Sequence, residues 1–338
     1  MCGVQKISFL YVSLQKLLLI RMPKKKVCVI INPVSGTGSK QSIPVKINSA
    51  FDPKKYDVIV RYTGYADHAT EIAKNAVKEN FKYVIAAGGD GTVNEIAKVL
   101  VDTPCVLGII PLGSGNGLAR DLNISMNIDK SIETITKGVE RNIDYGIANE
   151  HIFFCTCGVG FDAFVSERFA DEKMRGPIGY VKNILESVID FKSEEYELIY
   201  EGKTIKESAF VVTCANASQY GNEAYIAPNA DMEDGKMNVA LIKPINALEM
   251  PQTTIQLFTK NLHKNNKVIH ILTSELIIKR GRSGVMHIDG ESIDAGKEIN
   301  VRIVPKGLKV LAPKKTKDDK RPMENDPIFS VFLRWFTQ

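Results

Sequence analysis

The chain has 338 residues, of which 44% are hydrophobic, so it is long enough for two domains and apolar enough to bury a core in each. This composition excludes global disorder. The net charge of +5 suits contact with anions but is too small to indicate a nucleic-acid partner. The six cysteines lie mostly in apolar runs without paired zinc-ligand spacing, which favours buried thiols in a reducing, cytoplasmic setting.

The amino-terminal segment precedes the first predicted strand. Residues 7–20 are its most apolar stretch, but they are too few to span a bilayer and are interrupted by Gln15 and Lys16. We therefore expect residues 1–21 to be an extension outside the fold, which begins near Met22. An amphipathic membrane anchor is the alternative for this extension.

Residues 22–142 are predicted to form an α/β domain with a parallel sheet. Segments with helical periodicity, at 67–78 and 93–101, alternate with apolar runs typical of buried strands. These runs lie at 27–31, 56–62, 83–87 and 106–110. Such alternation is typical of a parallel sheet that binds its ligand at the carboxyl ends of the strands.

Three glycine-rich turns follow strands of this domain. The central one, residues 88–92, lies between a buried strand and a helix, where backbone N–H groups and the positive helix end point at a ligand. Asp90 would repel a bare phosphate, so its presence suggests a bridging cation. The other turns are residues 32–40 and 111–121, and the first lacks the Gly-Lys-Ser/Thr ending of a P-loop. Together the turns predict a shared site for nucleotide phosphates and Mg²⁺.

From residue 143 the pattern becomes β-rich, and residues 143–312 are predicted to form an antiparallel β-sandwich. Its apolar runs lie at 152–157, 208–214, 237–242, 268–279, 285–288, 299–304 and 308–311. Residues 164–191 are the exception, because their pattern is helical around a break at Gly176-Pro177. Residues 313–338 form a basic linker and an aromatic tail, which we expect to pack on the first domain. Contact with a lipid surface is the alternative.

Two acidic motifs stand out in the second half, at residues 231–236 and 289–291. Asp-Gly pairs favour hairpin turns, so each motif is compatible with a plain turn. A carboxylate just beyond such a turn would also suit the removal of a proton from an alcohol. The five histidines show no metal-ligand spacing, so we expect structural or surface roles for them. His68 follows the turn at Thr63 and is the one that could touch a nucleotide.

The motifs at residues 31–36, 88–95 and 111–116 resemble, in order and spacing, those of the diacylglycerol kinase catalytic family. That family includes bacterial diacylglycerol kinases, phosphatidylglycerol-kinase-like proteins, sphingosine kinases and ceramide kinases. The resemblance extends over residues 24–312. The Gly-Gly-Asp-Gly turn alone is shared with NAD kinases and phosphofructokinases, so it does not decide the substrate.

The resemblance implies an ATP- and Mg²⁺-dependent lipid kinase of phospholipid metabolism, with an α/β domain followed by a β-sandwich. It implies that Glu291 is the catalytic base and that Asp90 orients the nucleotide Mg²⁺. It also implies a structural Mg²⁺ site formed by the Asp234 side chain and the carbonyls of Asp231 and Lys236. The implied nucleotide-binding residues are Asn32, Pro33, Ser35, Gly36, Thr63, Gly88, Gly89, Asp90, Gly91, Thr92, Asn94, Glu95, Gly113, Ser114 and Asn116.

The acceptor that we expect is diacylglycerol or a related glycerolipid, because residues 88–92 are closer to the diacylglycerol kinase form. Residues 115–119 resemble the sphingosine kinase form, so a sphingoid base or ceramide is the alternative. An NAD-kinase-like enzyme and a non-catalytic lipid-binding protein are further alternatives. The third motif and the Asp-Gly-Glu turn argue against the former, and the presence of Asp90, Asp234 and Glu291 argues against the latter. We expect a cytoplasmic protein at the membrane periphery, as a monomer or a homodimer, without nucleic acid.

Overall fold

The computed structural model describes residues 23–36, 40–168, 191–246 and 248–315. The predicted extension at residues 1–21 lies outside the described residues, as do the aromatic tail and most of the helical segment predicted at 164–191. Within the described ranges, no helix is both long enough and apolar enough to cross a bilayer.

The first part of the chain alternates between strands and helices, as predicted. In order, the elements are β1 (Lys25–Ile31), α1 (Ile43–Ala50), β2 (Tyr56–Tyr62), α2 (His68–Lys78), β3 (Tyr83–Gly88), α3 (Asp90–Leu100), β4 (Val106–Pro111), α4 (Gly117–Asp121) and α5 (Ile128–Lys137). The strands pair in parallel in the order β2-β1-β3-β4. Both β3 and β4 are buried along their whole length, because two hydrophobic clusters cover the two faces of the sheet.

The second part of the chain is dominated by antiparallel strands. In order, the elements are β5 (Val139–Ala148), β6 (His151–Phe153), β7 (Thr156–Gly160), α6 (Phe161–Arg168), β8 (Glu194–Tyr200), β9 (Lys203–Ala209), β10 (Val211–Ala215), β11 (Met237–Ile242), α7 (Met250–Phe258), a 3₁₀ turn (Leu262–Lys264), β12 (Val268–Thr273), β13 (Glu275–Arg280), β14 (Gly284–Ile288), β15 (Glu291–Ala295) and β16 (Glu298–Ala312).

These strands form a β-sandwich. One of its sheets has six antiparallel strands in the order β12-β11-β10-β7-β14-β15. The facing sheet contains β8, β9, β13 and the first half of β16. A single hydrophobic cluster draws residues from both sheets and fills the space between them. The predicted fold class, an α/β domain followed by an antiparallel β-sandwich, is therefore confirmed.

Strand β16 joins the two parts into one ten-stranded sheet. Its first residues pair antiparallel with β13, whereas Val310 pairs in parallel with Leu107 of β4. Strand β5 runs antiparallel along the other edge of β16, with an irregular register between Val304 and Leu308. The end of the second part thus returns to the first, and the two parts share a continuous backbone hydrogen-bond network.

Several details of the strand prediction are wrong. The runs predicted at 152–157 and 208–214 each cover parts of two strands that lie in different sheets, β6 with β7 and β9 with β10. The runs predicted at 299–304 and 308–311 belong to one strand, because the chain continues through a bulge between them. The run at 268–279 is two strands that lie in different sheets, β12 and β13, separated by Ser274. Strand β5 also spans the predicted boundary between residues 142 and 143.

Candidate active site

The first and second glycine-rich turns contact each other at the carboxyl edge of the parallel sheet. The Asn32 side-chain amide donates a hydrogen bond to the Thr92 hydroxyl at 3.0 Å. The Gly89 N–H donates to the Ser35 hydroxyl at 3.2 Å. The side chains of the first turn therefore fix the backbone of the second, at the point where α3 begins.

The third turn is closed by the carboxylate of Asp90. Its Oδ2 accepts from the Asn116 N–H at 2.8 Å, and its Oδ1 accepts from the Gly117 N–H at 2.7 Å. The Asn116 side chain adds a reciprocal pair of bonds, since it accepts from the Gly113 N–H at 3.0 Å and donates to the Gly113 carbonyl at 2.7 Å. Hydrogen bonds to an ionised carboxylate are stronger than neutral ones, so Asp90 is the main link between the second and third turns.

The three backbones approach so closely that two of the glycines cannot be replaced. A Cβ on Gly36, which has a positive φ of 60°, would lie 2.1 Å from the Leu112 carbonyl oxygen. A Cβ on Gly113 would lie 2.7 Å from the Gly89 Cα atom. The three turns therefore pack directly against one another where α3 begins, and we call this surface the phosphate cradle because the sequence predicts phosphate binding there.

The remaining residues that the sequence predicted at this site take different positions around the cradle. Pro33, Asp90, Gly91 and Ser114 are exposed, whereas Gly88, Thr92, Asn94 and Asn116 are buried. Thr63 lies beside the first turn, because its N–H donates to the Ile31 carbonyl at 3.0 Å. After Thr63, the His68 Nδ1 accepts from the Gly64 N–H at 3.0 Å, and its ring stacks on Tyr65 at 4.3 Å.

Glu95 has a structural contact that its place in the motif did not predict. Its carboxylate accepts from the Ala69 N–H at 3.1 Å and so caps the start of α2, where the preceding Asp67 makes no side-chain cap. Burial, followed by the nearby charge of Asp67, raises the pKa of Glu95, while backbone hydrogen bonds lower it. Glu95 therefore positions the segment that follows Thr63.

We expect Glu95→Ala to lower the free energy of unfolding by about 0.5–2 kcal/mol, the usual cost of losing a helix cap. Thermal unfolding measures this loss. Glu79→Ala is the matched control, because Glu79 is an exposed acid at the other end of α2. Equal melting temperatures for the two variants would contradict the capping role.

Asp289 lies in the second domain, near the second turn. Its carboxylate accepts from the N–H groups of Phe154, Cys155 and Thr156 at 2.8–2.9 Å. Burial raises the pKa of the Asp289 carboxyl, while these hydrogen bonds and the nearby Asn94 side chain lower it. Since Asn94 lies in α3, the Asp289 turn lies close to the helix that begins at the phosphate cradle.

Glu291 is the first residue of β15 and is exposed. It follows a tight hairpin turn in which Asp289 and Gly290 have φ angles of 49° and 91°. Its neighbour across the hairpin is Ile288, with which it pairs. The half-buried Asp289 therefore anchors the turn, while Glu291, two residues later, is exposed to solvent.

The acidic turn at residues 231–236 forms ion pairs with two cations. The Lys315 ammonium lies 2.9 Å from an Asp231 carboxylate oxygen, and the Arg141 guanidinium donates to Glu233 at 2.6 Å. Asp234 accepts from the Lys236 N–H at 2.9 Å. Among the residues that the structure describes, no cluster of three or more acid, histidine or cysteine side chains has metal-binding geometry. A cation here would depend on Asp234 and backbone carbonyls.

A buried acid that the sequence analysis did not single out supports this acidic turn. The carboxylate of Asp144 accepts from the Gly235 N–H and from the Lys306 N–H, both at 2.7 Å. Asp144 is fully buried in β5, within a sequence that carries no motif. No strand was predicted at this position, so a lone aspartate among apolar residues was the only signal that could have indicated Asp144.

These features define an α/β domain with three glycine-rich turns at one edge of its sheet, joined to an antiparallel β-sandwich. A family model for the diacylglycerol kinase catalytic domain matches residues 26–148. A model described as the YegS C-terminal NAD kinase beta sandwich-like domain matches residues 155–312. Together the two matches span both parts of the fold. The chain belongs to the diacylglycerol kinase catalytic family of lipid kinases.

Curated relatives and a solved structure agree with this assignment. The chain is 28% identical over 277 residues to a diacylglycerol kinase of Bacillus subtilis, which covers 79% of this chain and 90% of that protein. It is 26% identical over 277 residues to a diacylglycerol kinase of Staphylococcus aureus, with coverage of 79% and 86%. A crystal structure of a diacylglycerol kinase from Bacillus anthracis has a TM-score of 0.66 at 21% identity and covers 86% of this chain and 98% of that one, which shows a shared fold.

Proposed function

We propose that this chain transfers the γ-phosphoryl group of ATP to the hydroxyl of a membrane lipid, with diacylglycerol or a related glycerolipid as the acceptor. The observation that carries the proposal is the position of Cys155, whose N–H donates to Asp289 at 2.8 Å and whose Sγ lies 3.5 Å from the position of a Cβ on Gly117. Gly117 belongs to the turn that Asp90 closes, so Cys155 connects the Glu291 hairpin to the edge of the phosphate cradle. A phosphate donor and a proton acceptor on facing elements are what phosphoryl transfer to an alcohol requires.

The cradle binds the ATP phosphates through backbone N–H groups. The turn before α3 directs these groups, and the positive end of the helix dipole, toward the nucleotide. The first and third turns keep this backbone in place through Ser35, Asn32 and Asp90. Because the donors are already ordered, they need no rearrangement as charge shifts during transfer.

Asp90 would also hold the Mg²⁺ that accompanies ATP. Its two carboxylate oxygens each accept one backbone hydrogen bond, and each oxygen keeps further lone pairs. The side chain is exposed at the edge of the cradle, which suits a cation that is shared with the substrate phosphates. When bound, the ion would neutralise the phosphate charge.

Glu291 accepts the proton of the acceptor hydroxyl as the bond to phosphorus forms. Its side chain is exposed, so the hydroxyl of an acceptor can reach the carboxylate. The hairpin turn is rigid because Asp289 anchors it through backbone hydrogen bonds at 2.8–2.9 Å. The position of Glu291 therefore depends on Asp289, two residues before it.

Asp234, with the carbonyls of Asp231 and Lys236, would hold a structural Mg²⁺ rather than the reacting one. The carboxylate and the two carbonyls belong to one turn, and hard oxygen donors of this kind suit Mg²⁺. The residues of the cradle lie elsewhere, so this ion would stabilise the second domain.

We expect MgCl₂ to raise the melting temperature of the nucleotide-free wild type, and we expect this increase to be absent in Asp234→Ala. The variant should also lose activity in parallel with stability. Calorimetric titration of the nucleotide-free protein with Mg²⁺ measures the site directly. Asp294→Ala is the matched control, because Asp294 is an exposed acid elsewhere in the second domain. Absence of Mg²⁺ binding outside the nucleotide site would contradict the assignment.

Since the acceptor is a lipid, we propose that the protein works at the cytoplasmic face of a membrane as a peripheral protein. The net charge of +5 favours approach to an anionic surface. A homodimer remains compatible with this arrangement.

The test is transfer from γ-labelled ATP to a panel of diacylglycerol, phosphatidylglycerol, sphingoid base, ceramide and NAD in detergent micelles. We expect the label in the glycerolipid. Label in the sphingoid base or ceramide would keep the reaction class and change the acceptor, in agreement with the Gly115–Ala119 pattern. Label in NAD alone, or in no acceptor, would overturn the proposal.

A further inference from the structure

Four polar side chains, two of them buried and two half-buried, form a connected group on the outer face of the six-stranded sheet. His287 Nε2 lies 2.9 Å from Asp162 Oδ2, and the same oxygen accepts from the Thr213 hydroxyl at 2.7 Å. The Tyr220 hydroxyl lies 2.6 Å from the Thr213 hydroxyl and 3.2 Å from Asp162 Oδ2. We call Asp162, Thr213, Tyr220 and His287 the Asp162 network.

The Asp162 network lies among aromatic side chains, where polar groups are costly. Phe161 and Phe210 stack with ring centres 4.5 Å apart beside it, and His287 and Thr213 are 2% and 0% exposed. Burying such groups is tolerated only when they are hydrogen bonded to one another. Space for the network depends on Gly158, since a Cβ there would lie 2.8–2.9 Å from Asp162 Oδ2 and His287 Nε2. A core that served stability alone would be apolar at these positions.

One end of the network touches the third glycine-rich turn. A Cβ on Gly117 would lie 3.4 Å from the Tyr220 carbonyl oxygen. A Cβ on Gly221, which follows Tyr220, would lie 3.5 Å from the Gly115 backbone. The Asn222 N–H also donates to the Gly115 carbonyl at 3.5 Å. Movement of the Tyr220 segment would therefore be transmitted to the turn that Asp90 closes.

The other end of the network lies in the strand that leads to Glu291. His287 is in β14, two residues before Asp289, and pairs with Gly158 of β7. Asp162 lies in α6, directly after β7. The bond between His287 and Asp162 thus joins β14 to α6, in addition to the sheet hydrogen bonds.

We infer that the Asp162 network is a positioning device that fixes the Glu291 hairpin relative to the third turn, and that His287 is its positioning residue. The inference rests on the proposed role of Glu291. Misplacement of a catalytic group by about 1 Å costs about 10²-fold in rate, so a support of this kind has a measurable effect without touching substrate.

The test compares His287→Ala, His287→Gln and Thr213→Val with Met286→Ala. The last is the matched control, because Met286 is the neighbour of His287 in β14 but packs between the two sheets, away from the network. We expect His287→Ala and Thr213→Val to lower kcat for the lipid at least about tenfold with the KM for ATP nearly unchanged. His287→Gln keeps a polar group near Asp162 and restores part of the rate, whereas Met286→Ala lowers the melting temperature but keeps kcat.

Amide hydrogen exchange provides a second measurement that does not depend on activity. We expect His287→Ala to accelerate exchange in peptides covering both residues 115–121 and residues 287–293, and Met286→Ala to leave the first peptide unchanged. If the wild-type protein phosphorylates no acceptor, the proposed function is refuted. The exchange measurement still tests whether the Asp162 network connects the Glu291 hairpin to the third turn, because it does not depend on activity. Unchanged exchange at 115–121 in His287→Ala, or an equal loss of kcat in Met286→Ala, would overturn the inference.

Discussion

Replacement of Glu291 by glutamine is expected to lower the turnover of lipid phosphorylation by about 10²–10⁴-fold, the usual contribution of a general base. The amide keeps the size of the side chain but cannot take a proton. Asp289 and its bonds to the 154–156 backbone are unchanged, so the hairpin should keep its position. The measurement is initial rate at saturating ATP and lipid, together with ATP affinity by calorimetry.

The control for Glu291→Gln is Asp294→Asn, which makes the same change of charge at another exposed acid of β15. We expect that variant to retain the wild-type rate. Unchanged turnover in Glu291→Gln, or a loss that is explained wholly by weaker ATP binding, would move the base to another residue.

Replacement of Asp90 by alanine is expected to reduce transfer to less than about one hundredth of the wild-type rate. The variant loses the two charge-assisted bonds, at 2.7 Å and 2.8 Å, that hold the third turn against the second. Hydrogen bonds to charged groups contribute about 1.5–3 kcal/mol each, so the turn is expected to loosen. The variant also lacks the carboxylate that we propose for the nucleotide Mg²⁺. ATP affinity should therefore fall along with the rate.

Circular dichroism separates this local effect from unfolding, since the sheet beneath the turns does not depend on Asp90. Asp57→Ala is the matched control, because Asp57 is an exposed acid near the amino end of β2, opposite the cradle. Asp90→Ala with near-normal turnover and ATP affinity would remove Asp90 from the mechanism.

The parallel sheet could be predicted because its signals are local. Each apolar run in residues 25–111 is followed by a turn and a helix, so the pattern determines strand direction and the edge where the turns meet. Strand β16 could not be predicted in the same way. Its pairing with β13, β5 and β4 depends on contacts between segments that are distant in sequence, and a local pattern contains no information on them.

The three turns of the candidate site were found by motif, but the bonds that connect them were not. Asp90 was assigned to a cation from its place between glycines, whereas its bonds to Asn116 and Gly117 depend on how the third turn folds. Glu95 belongs to the same motif, and its capping of α2 could not be predicted from the motif. Asp289 lies near Asn94 although the two residues belong to different domains, so no sequence pattern could indicate their proximity.

The central claim is that the γ-phosphoryl group of ATP is transferred to a lipid hydroxyl at the Glu291 hairpin, with ADP as the other product. A mass balance tests it most directly: ADP and phosphorylated lipid are quantified together in diacylglycerol micelles, for the wild type and for Glu291→Gln. We predict one phosphorylated lipid per ADP in the wild type, and a loss of both products in the variant. ADP formed without phosphorylated lipid, or phosphorylated lipid formed equally fast by Glu291→Gln, would contradict the account.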